Sequence, residues 1–142
     1  MASKLENIGT EIKKLIEDID YFKSVILGFP FPEYFTPEKL PGVGIWFERA
    51  ENINGRLNVD FSIFVIIYED DHTLAFNKVS DAISKLWNSL IYCKFDYAPF
   101  NLDIKSVSFQ DVFERLDVNI SLDPPYYAAR IDVSVMAGGL TM

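Results

Sequence analysis

The chain has 142 residues, 49% of them apolar and 15% aromatic, with 21 Asp and Glu against 13 Lys and Arg for a formal net charge of −8. That length suits one domain burying about two-thirds of its unfolded surface without staples, and the apolar and aromatic content excludes a disordered acidic chain. The acidic balance excludes a grip on nucleic-acid phosphates through clustered cations, the single Cys93 excludes an intramolecular disulfide or a Cys-based metal site, and no apolar run reaches the length of a membrane span.

Leu5, Ile8, Ile12, Leu15, Ile16 and Ile19 recur at spacings of three and four, with Glu6, Glu11, Lys13, Lys14 and Glu17 between them. This is an amphipathic helix. Ser3 followed by Glu6 fits a capping box, and the helix is predicted over 4–26, stopped by Gly28 and Pro30. The amino-terminal segment MASKLENIGTEIKK lacks the apolar core of a signal peptide, so the protein is expected to be cytoplasmic when made.

Residues 28–44, GFPFPEYFTPEKLPGVG, carry Pro30, Pro32, Pro37 and Pro41 with Gly28, Gly42 and Gly44, which rules out regular helix or a central strand. Phe29, Phe31, Tyr34 and Phe35 sit among them, whereas a flexible linker would be polar. An ordered loop is predicted, its rings packed on the domain or on a neighbour.

Residues 43–50 and 57–69 read as two strands around the Asn54-Gly55 pair, the strongest short-range hairpin signal, with a loop longer than two residues expected. The second strand, LNVDFSIFVIIY, changes character halfway along. Leu57, Val59, Phe61, Ile63, Val65 and Ile67 form one continuous apolar face. The other face begins with Asn58, Asp60 and Ser62 and becomes apolar at Phe64, Ile66 and Tyr68. Alternation marks one wet face and a continuous run marks burial on both. The first half is therefore expected to edge into solvent, and the second half needs cover on both faces, from this chain or another.

Leu74, Phe76, Val79, Ala82, Ile83, Leu86, Trp87, Leu90 and Ile91 follow at helical spacing, giving a second helix over 73–91 that folds back on the sheet. Trp46 and Trp87 are candidate anchors facing each other between sheet and helix. Residues 92–102 form another aromatic loop, with Phe95, Tyr97 and Phe100. Strands are expected at 104–109 and 118–122, then at 126–136, where Tyr127, Ala129, Ile131, Val133 and Val135 alternate with Arg130, Asp132 and Ser134; residues 137–142 are expected to fray. The sum is a single α+β domain over 1–142, an antiparallel sheet of about four strands with two helices on one face, in the order α-β-β-α-β-β.

Chemistry has little foothold. Glu69, Asp70, Asp71 and His72 lack the spacing of a hard-metal loop; acids before a helix complement its positive end and cap it. His72 is the only histidine, against zinc pairs and triads, and Cys93 follows a helix rather than preceding one, without the surroundings that lower a thiol pKa. Gly138-Gly139 and Gly42-Val43-Gly44 are not phosphate loops. No catalytic residue, metal or cofactor is expected, and the protein is read as a non-enzyme.

The order of elements, with LPGVGIWF at 40–47, NVDFSIFVIIY at 58–68, the helix HTLAFNKVSDAISKLWNSL at 72–90 and the strand YYAARIDVSV at 126–135, resembles the small tail-terminator and tail-completion proteins of long-tailed phages. The resemblance spans nearly the whole chain as a pattern of type and order. It implies a virion structural protein, assembled in the host cytoplasm, that caps the tail tube as a ring, commonly of six copies, and joins it to the head connector. Partners would be the chain itself, the tube protein and the connector, with no sequence-specific nucleic acid and no membrane; acidic residues facing a lumen would repel passing DNA. Phe64, Ile66 and Tyr68 then become the expected subunit interface, at roughly 1.5–3 kcal/mol of gross burial each. A head-to-tail ring needs two different surfaces, and the second is expected from Phe31, Tyr34, Phe35, Phe95, Tyr97 and Phe100. The aromatic richness of both loops departs from the family. The alternative is a small cellular protein-binding or adaptor domain, also non-enzymatic, that covers the doubly apolar half-strand with its own first helix.

Overall fold

The computed structural model describes residues 3–30, 36–91, 93, 100–109, 112 and 124–138. Helix α1 spans Lys4–Glu17 and strand β1 Ser24–Leu27; a 3-10 turn at Pro37–Lys39 precedes the hairpin β2 (Gly42–Ile53) and β3 (Arg56–Tyr68). Helix α2 (His72–Ile91), β4 (Phe100–Ser108) and β5 (Tyr126–Gly138) complete the order. The strands form one five-stranded sheet in the order β1-β2-β3-β5-β4. All neighbours are antiparallel except β1, which runs parallel to β2 with Val25 opposite Val43 and Leu27 opposite Ile45.

The α+β class and single domain stand; the description as an antiparallel sheet of about four strands in the order α-β-β-α-β-β does not. The strand not foreseen is β1, which lies inside the span assigned to the first helix. Apolar spacing continues through Ile19, Tyr21 and Phe22, and all three pack on the core, but not as helix. Asp18 N–H closes the last turn by donating to Lys14 O at 3.0 Å, Ile19 N–H donates to Ile16 O at 3.1 Å, and Asp20 takes a left-handed φ of 58°. An aspartate tolerates that conformation as a helix stop. The following Ser-Val-Ile-Leu run is β-branched and pairs with β2, held at its start by Lys23 N–H donating to Pro41 O at 2.8 Å and by the Ser24 hydroxyl donating to Lys39 O at 2.9 Å.

The hairpin forms as expected, with a tighter turn. Ile53 pairs Arg56, so the connection is the two residues Asn54 and Gly55, both at positive φ (52° and 79°). Such a turn matches the twist of the strands it joins. Its first strand runs longer than the sequence pattern indicated while β3 keeps the expected length one residue earlier, and β4 begins at Phe100, four residues before the first clear alternation. Ala137, placed in the fraying tail, is instead 1% exposed and pairs both Leu57 and Phe100. The strand expected at 118–122 and residues 139–142 lie outside the described residues.

Both helices pack on one face. Ile8, Ile12 and Ile16 of α1 and Ala82, Ile83, Leu86 and Leu90 of α2 join Leu57, Val59, Phe61, Ile63, Val65 and Ile67 of β3 in one core cluster. Ser3 caps α1, its Oγ accepting from Glu6 N–H at 3.1 Å. Asp71 caps α2, one carboxylate oxygen accepting from both the N–H and the hydroxyl of Thr73, at 2.9 and 2.7 Å.

Candidate assembly surfaces

The doubly apolar half of β3 is covered by the chain itself. Phe64 is 0% and Ile66 1% exposed. Residues 28–30 and 40, between β1 and β2, lie on the face opposite the helices, with Phe29 edge-on against Phe64 at 5.4 Å and Leu40 against Ile66, and Ile26, Tyr126 and Ala128 around it. Gly44 permits this approach: a Cβ there would stand 2.9 Å from Pro30 Cβ and 3.0 Å from Gly28 O. Of the three β3 residues expected at a subunit interface, only Tyr68 is partly exposed, packed on Tyr126 and donating its hydroxyl to Asp70 Oδ1 at 2.8 Å. That hydrogen bond, with Asp70's negative charge, holds the Tyr68 phenol above its usual pKa. The cover is thus neither a partner nor α1, which sits on the other face. Phe31, Tyr34, Phe35, Phe95 and Tyr97 lie outside the described residues, and Phe100 is described only as the first backbone position of β4.

The polar half of the same face does not edge into solvent. Asn58, Ser62, Asp132 and Ser134 are all buried. Two bulges bring the cover. Pairing slips between Phe47 and Arg49 on β2 and between Ile104 and Ser106 on β4, so each strand carries one extra residue. A bulge re-aims side chains; here Glu48 with Arg49, and Lys105 with Ser106, all turn to this face. Ser62 Oγ lies 2.7 Å from Glu48 Oε1 and 3.0 Å from Asp132 Oδ1, two carboxylates competing for one hydroxyl hydrogen. Asp60 gathers the Ser134 hydroxyl at 2.7 Å, Arg49 at 3.3 Å and Lys105 at 3.8 Å. Arg130 is buried beside Phe64: its guanidinium donates to Val112 O and to Ser108 Oγ, and Nε lies 3.1 Å from Asp132 Oδ1 without aligning its N–H on that oxygen. Glu48, Arg49, Asp60, Lys105, Ser106 and Asp132 line an open groove beside Trp46. Its charges are paired across strands, which fixes strand register more than it prepares a ligand site.

The acidic turn after β3 behaves as a helix start. Glu69 pairs with Lys78 at 2.8 Å and accepts from Asp71 N–H, which holds its carboxyl below the ordinary range, and the Thr73 hydrogen bonds do the same for Asp71. His72 Nδ1 and the Tyr127 hydroxyl share a hydrogen bond of 2.9 Å. Cys93 is half-buried, and burial pushes its thiol up. Among the described residues no three His, Cys, Asp or Glu side chains converge as a metal-ligand set.

The apolar surface that does remain open is concentrated at two places that sequence reasoning did not single out. At one sheet edge β1 covers β2 only over Gly42–Ile45, and there Leu27 and Phe47, on the side of α1, and Trp46, on the opposite face, stand exposed along the same edge. At the other, Phe76, Trp87 and Ile91 of α2 and Phe109 after β4 are exposed. β4 runs in the direction of β3, since both are antiparallel to β5, so Phe109 ends at the same end of the sheet as the start of α2. Trp46 and Trp87 do not face each other: Trp46 packs edge-on against Phe29 on the face opposite the helices. Ile53 at the hairpin tip and Leu74 in the first turn of α2 are exposed singly. Single exposed apolar residues are ordinary; clusters mark interaction surfaces.

No family model matches the chain, and no curated protein does. Among solved structures it is similar to a chain of the virion of a native gene transfer agent (GTA) particle, at a TM-score of 0.46 and 12% identity over 95% of each chain.

Proposed function

We propose that this protein is a structural, non-enzymatic component of a phage-type virion that closes the end of the tail tube as a ring of copies and joins it to the head connector. The observation that carries the reading is that all but Ile53 and Leu74 of the exposed large apolar side chains among the described residues fall toward two opposite edges of one sheet, Leu27, Trp46 and Phe47 against Phe76, Trp87, Ile91 and Phe109. A closed head-to-tail ring needs two different surfaces turned away from each other. The motif order that resembles the tail-terminator family supports the same reading. The chain as a whole carries a net charge of −8, as suits a conduit that DNA passes without adhering.

The test is to mix the purified protein with growing tail tubes from the phage or prophage that encodes it and examine them by electron microscopy. A cap on one tube end and arrested elongation are expected. Bare tube ends and unchanged tube growth at saturating protein would refute the tail-closing role and favour a protein-binding domain of another system.

A further inference from the structure

We infer that the apolar face of α2 is the docking surface for a second copy of this chain, and that it receives the Leu27–Trp46–Phe47 edge of that copy. The inference rests on the assembly reading above and adds which surfaces meet.

Charge is distributed unevenly around α2. At 3.6 residues per turn, Ala75, Val79, Ala82, Leu86 and Leu90 point at the sheet. Asp81 and Lys85 lie on one flank, paired at 3.4 Å, with Lys85 over the Tyr21 ring at 5.1 Å on the side of α1. Lys78, on the same flank, pairs Glu69. The opposite flank, turned away from α1 toward β4, carries Phe76, Ile83, Trp87 and Ile91 with Thr73, Asn77, Ser80, Ser84 and Asn88. It has no acid, lysine or arginine along the helix, in a chain where 24% of residues are charged.

That gap in charge points to the occupant. Two copies each carrying −8 repel one another, and they meet most favourably where neither surface brings charge to the contact. Interface cores have this composition, depleted in charge and rich in aromatics. A basic partner would instead be met by carboxylates, which this flank lacks. With Phe76 77% exposed and Ile91 51%, the exposed parts of Phe76, Trp87, Ile91 and Phe109 amount to roughly 400 Å², taking about 150–250 Å² for each full aromatic side chain. A stable interface needs about 800 Å² per partner, a little over half of it apolar. The area therefore suits one whole subunit contact.

The reciprocal surface follows from the fold. A contact of α2 with α2 of a second copy would close a dimer and leave Leu27, Trp46 and Phe47 uncovered. A head-to-tail contact covers both groups at once. Strand addition is disfavoured at either edge, because the bulges at Glu48 and Lys105 and the flanking charges Arg49, Glu51 and Asp103 interrupt it. Side-chain packing, not edge pairing, is left to make the joint.

The experiment uses two variants at the most exposed positions, Phe76→Glu with Ile91→Glu on one surface and Leu27→Glu on the other, each checked for wild-type circular dichroism and melting. Native mass spectrometry and sedimentation up to millimolar protein read the result. Wild type is expected to form closed oligomers and each variant to remain monomeric. An equimolar mixture of the two variants is expected to give a species of twice the subunit mass and nothing larger, because each retains one intact surface and these two are complementary. A wild type that stays monomeric, a Leu27→Glu variant that assembles like wild type, or a mixture that stays monomeric overturns the inference. No tail tube enters this assay, so tube capping can fail while the interface stands, and the reverse.

Discussion

Replacing Phe64 separates a core residue from an interface residue. In this fold Phe64 is fully enclosed by its own chain, with Phe29 against its ring and Arg130 and Gly44 across the two neighbouring strands. Phe64→Ala removes a ring's worth of packing and leaves a cavity that the sheet, fixed by pairing on both sides, cannot collapse to fill. Truncations of this kind cost about 3–5 kcal/mol. Against a typical total of about 5–15 kcal/mol, that is roughly a fifth or more of the stability of the domain. Phe76→Ala serves as the contrast: at 77% exposed it should stay within about 0.5 kcal/mol of wild type. Urea unfolding followed by circular dichroism measures both, with unchanged m-values as the sign that two-state comparison holds. Assembly should respond in the opposite order, with Phe76→Ala weakening it and Phe64→Ala leaving it intact in whatever fraction remains folded. A Phe64→Ala protein that loses less than about 1 kcal/mol yet fails to assemble would refute the reasoning and return Phe64 to a partner's interface.

Asp132→Ala should cost about 3–5 kcal/mol in the same assay, since it strands the buried Arg130 beside Phe64; a loss below about 1 kcal/mol would show that Val112 O and Ser108 hold the guanidinium unaided. Gly44→Ala should lose about 1–3 kcal/mol through overpacking against Pro30 and Gly28 O, while Gly28→Ala, where a Cβ would meet nothing within 4 Å, should be far milder. For pH, the carboxyls of Glu69 and Asp71 are held below their ordinary values, so their contribution is complete above the unfolded range near pH 4 and is lost as pH falls through it toward the depressed folded values. The melting temperature should be level from about pH 5 to 7 and fall below about pH 4. Asp71→Asn keeps a capping side chain but removes one titrating acid, and should flatten part of that fall.

The two helical faces and the alternating strands were legible because each pattern has one period and one buried face. The hairpin was legible from Asn54-Gly55 alone, since few other pairs place two successive residues at positive φ. What misled was the first helix, where Ile19, Tyr21 and Phe22 keep the spacing of a buried stripe after the helix has stopped at Asp18. Apolar spacing reports burial, and here the burial continued while the backbone changed. The four residues of β1 were too few to announce a strand against that background.

The open surfaces were read least well, for a related reason. An apolar Phe64 and an apolar Phe76 look equally ready for a partner along the chain. By itself the sequence determined that one face of β3 and one stripe of each helix are buried, that a hairpin turns around the Asn54-Gly55 pair, and that the second face of β3 changes from polar to apolar at Phe64. Only the tertiary structure decided what covers that second face: the crossing of residues 28–30 and 40 over Gly44 at one end, and the two bulges carrying Glu48, Arg49, Lys105 and Ser106 over the other. Cover of this kind comes from residues distant in sequence, whose approach depends on strand order and register, and neither is written in the local period of any one segment.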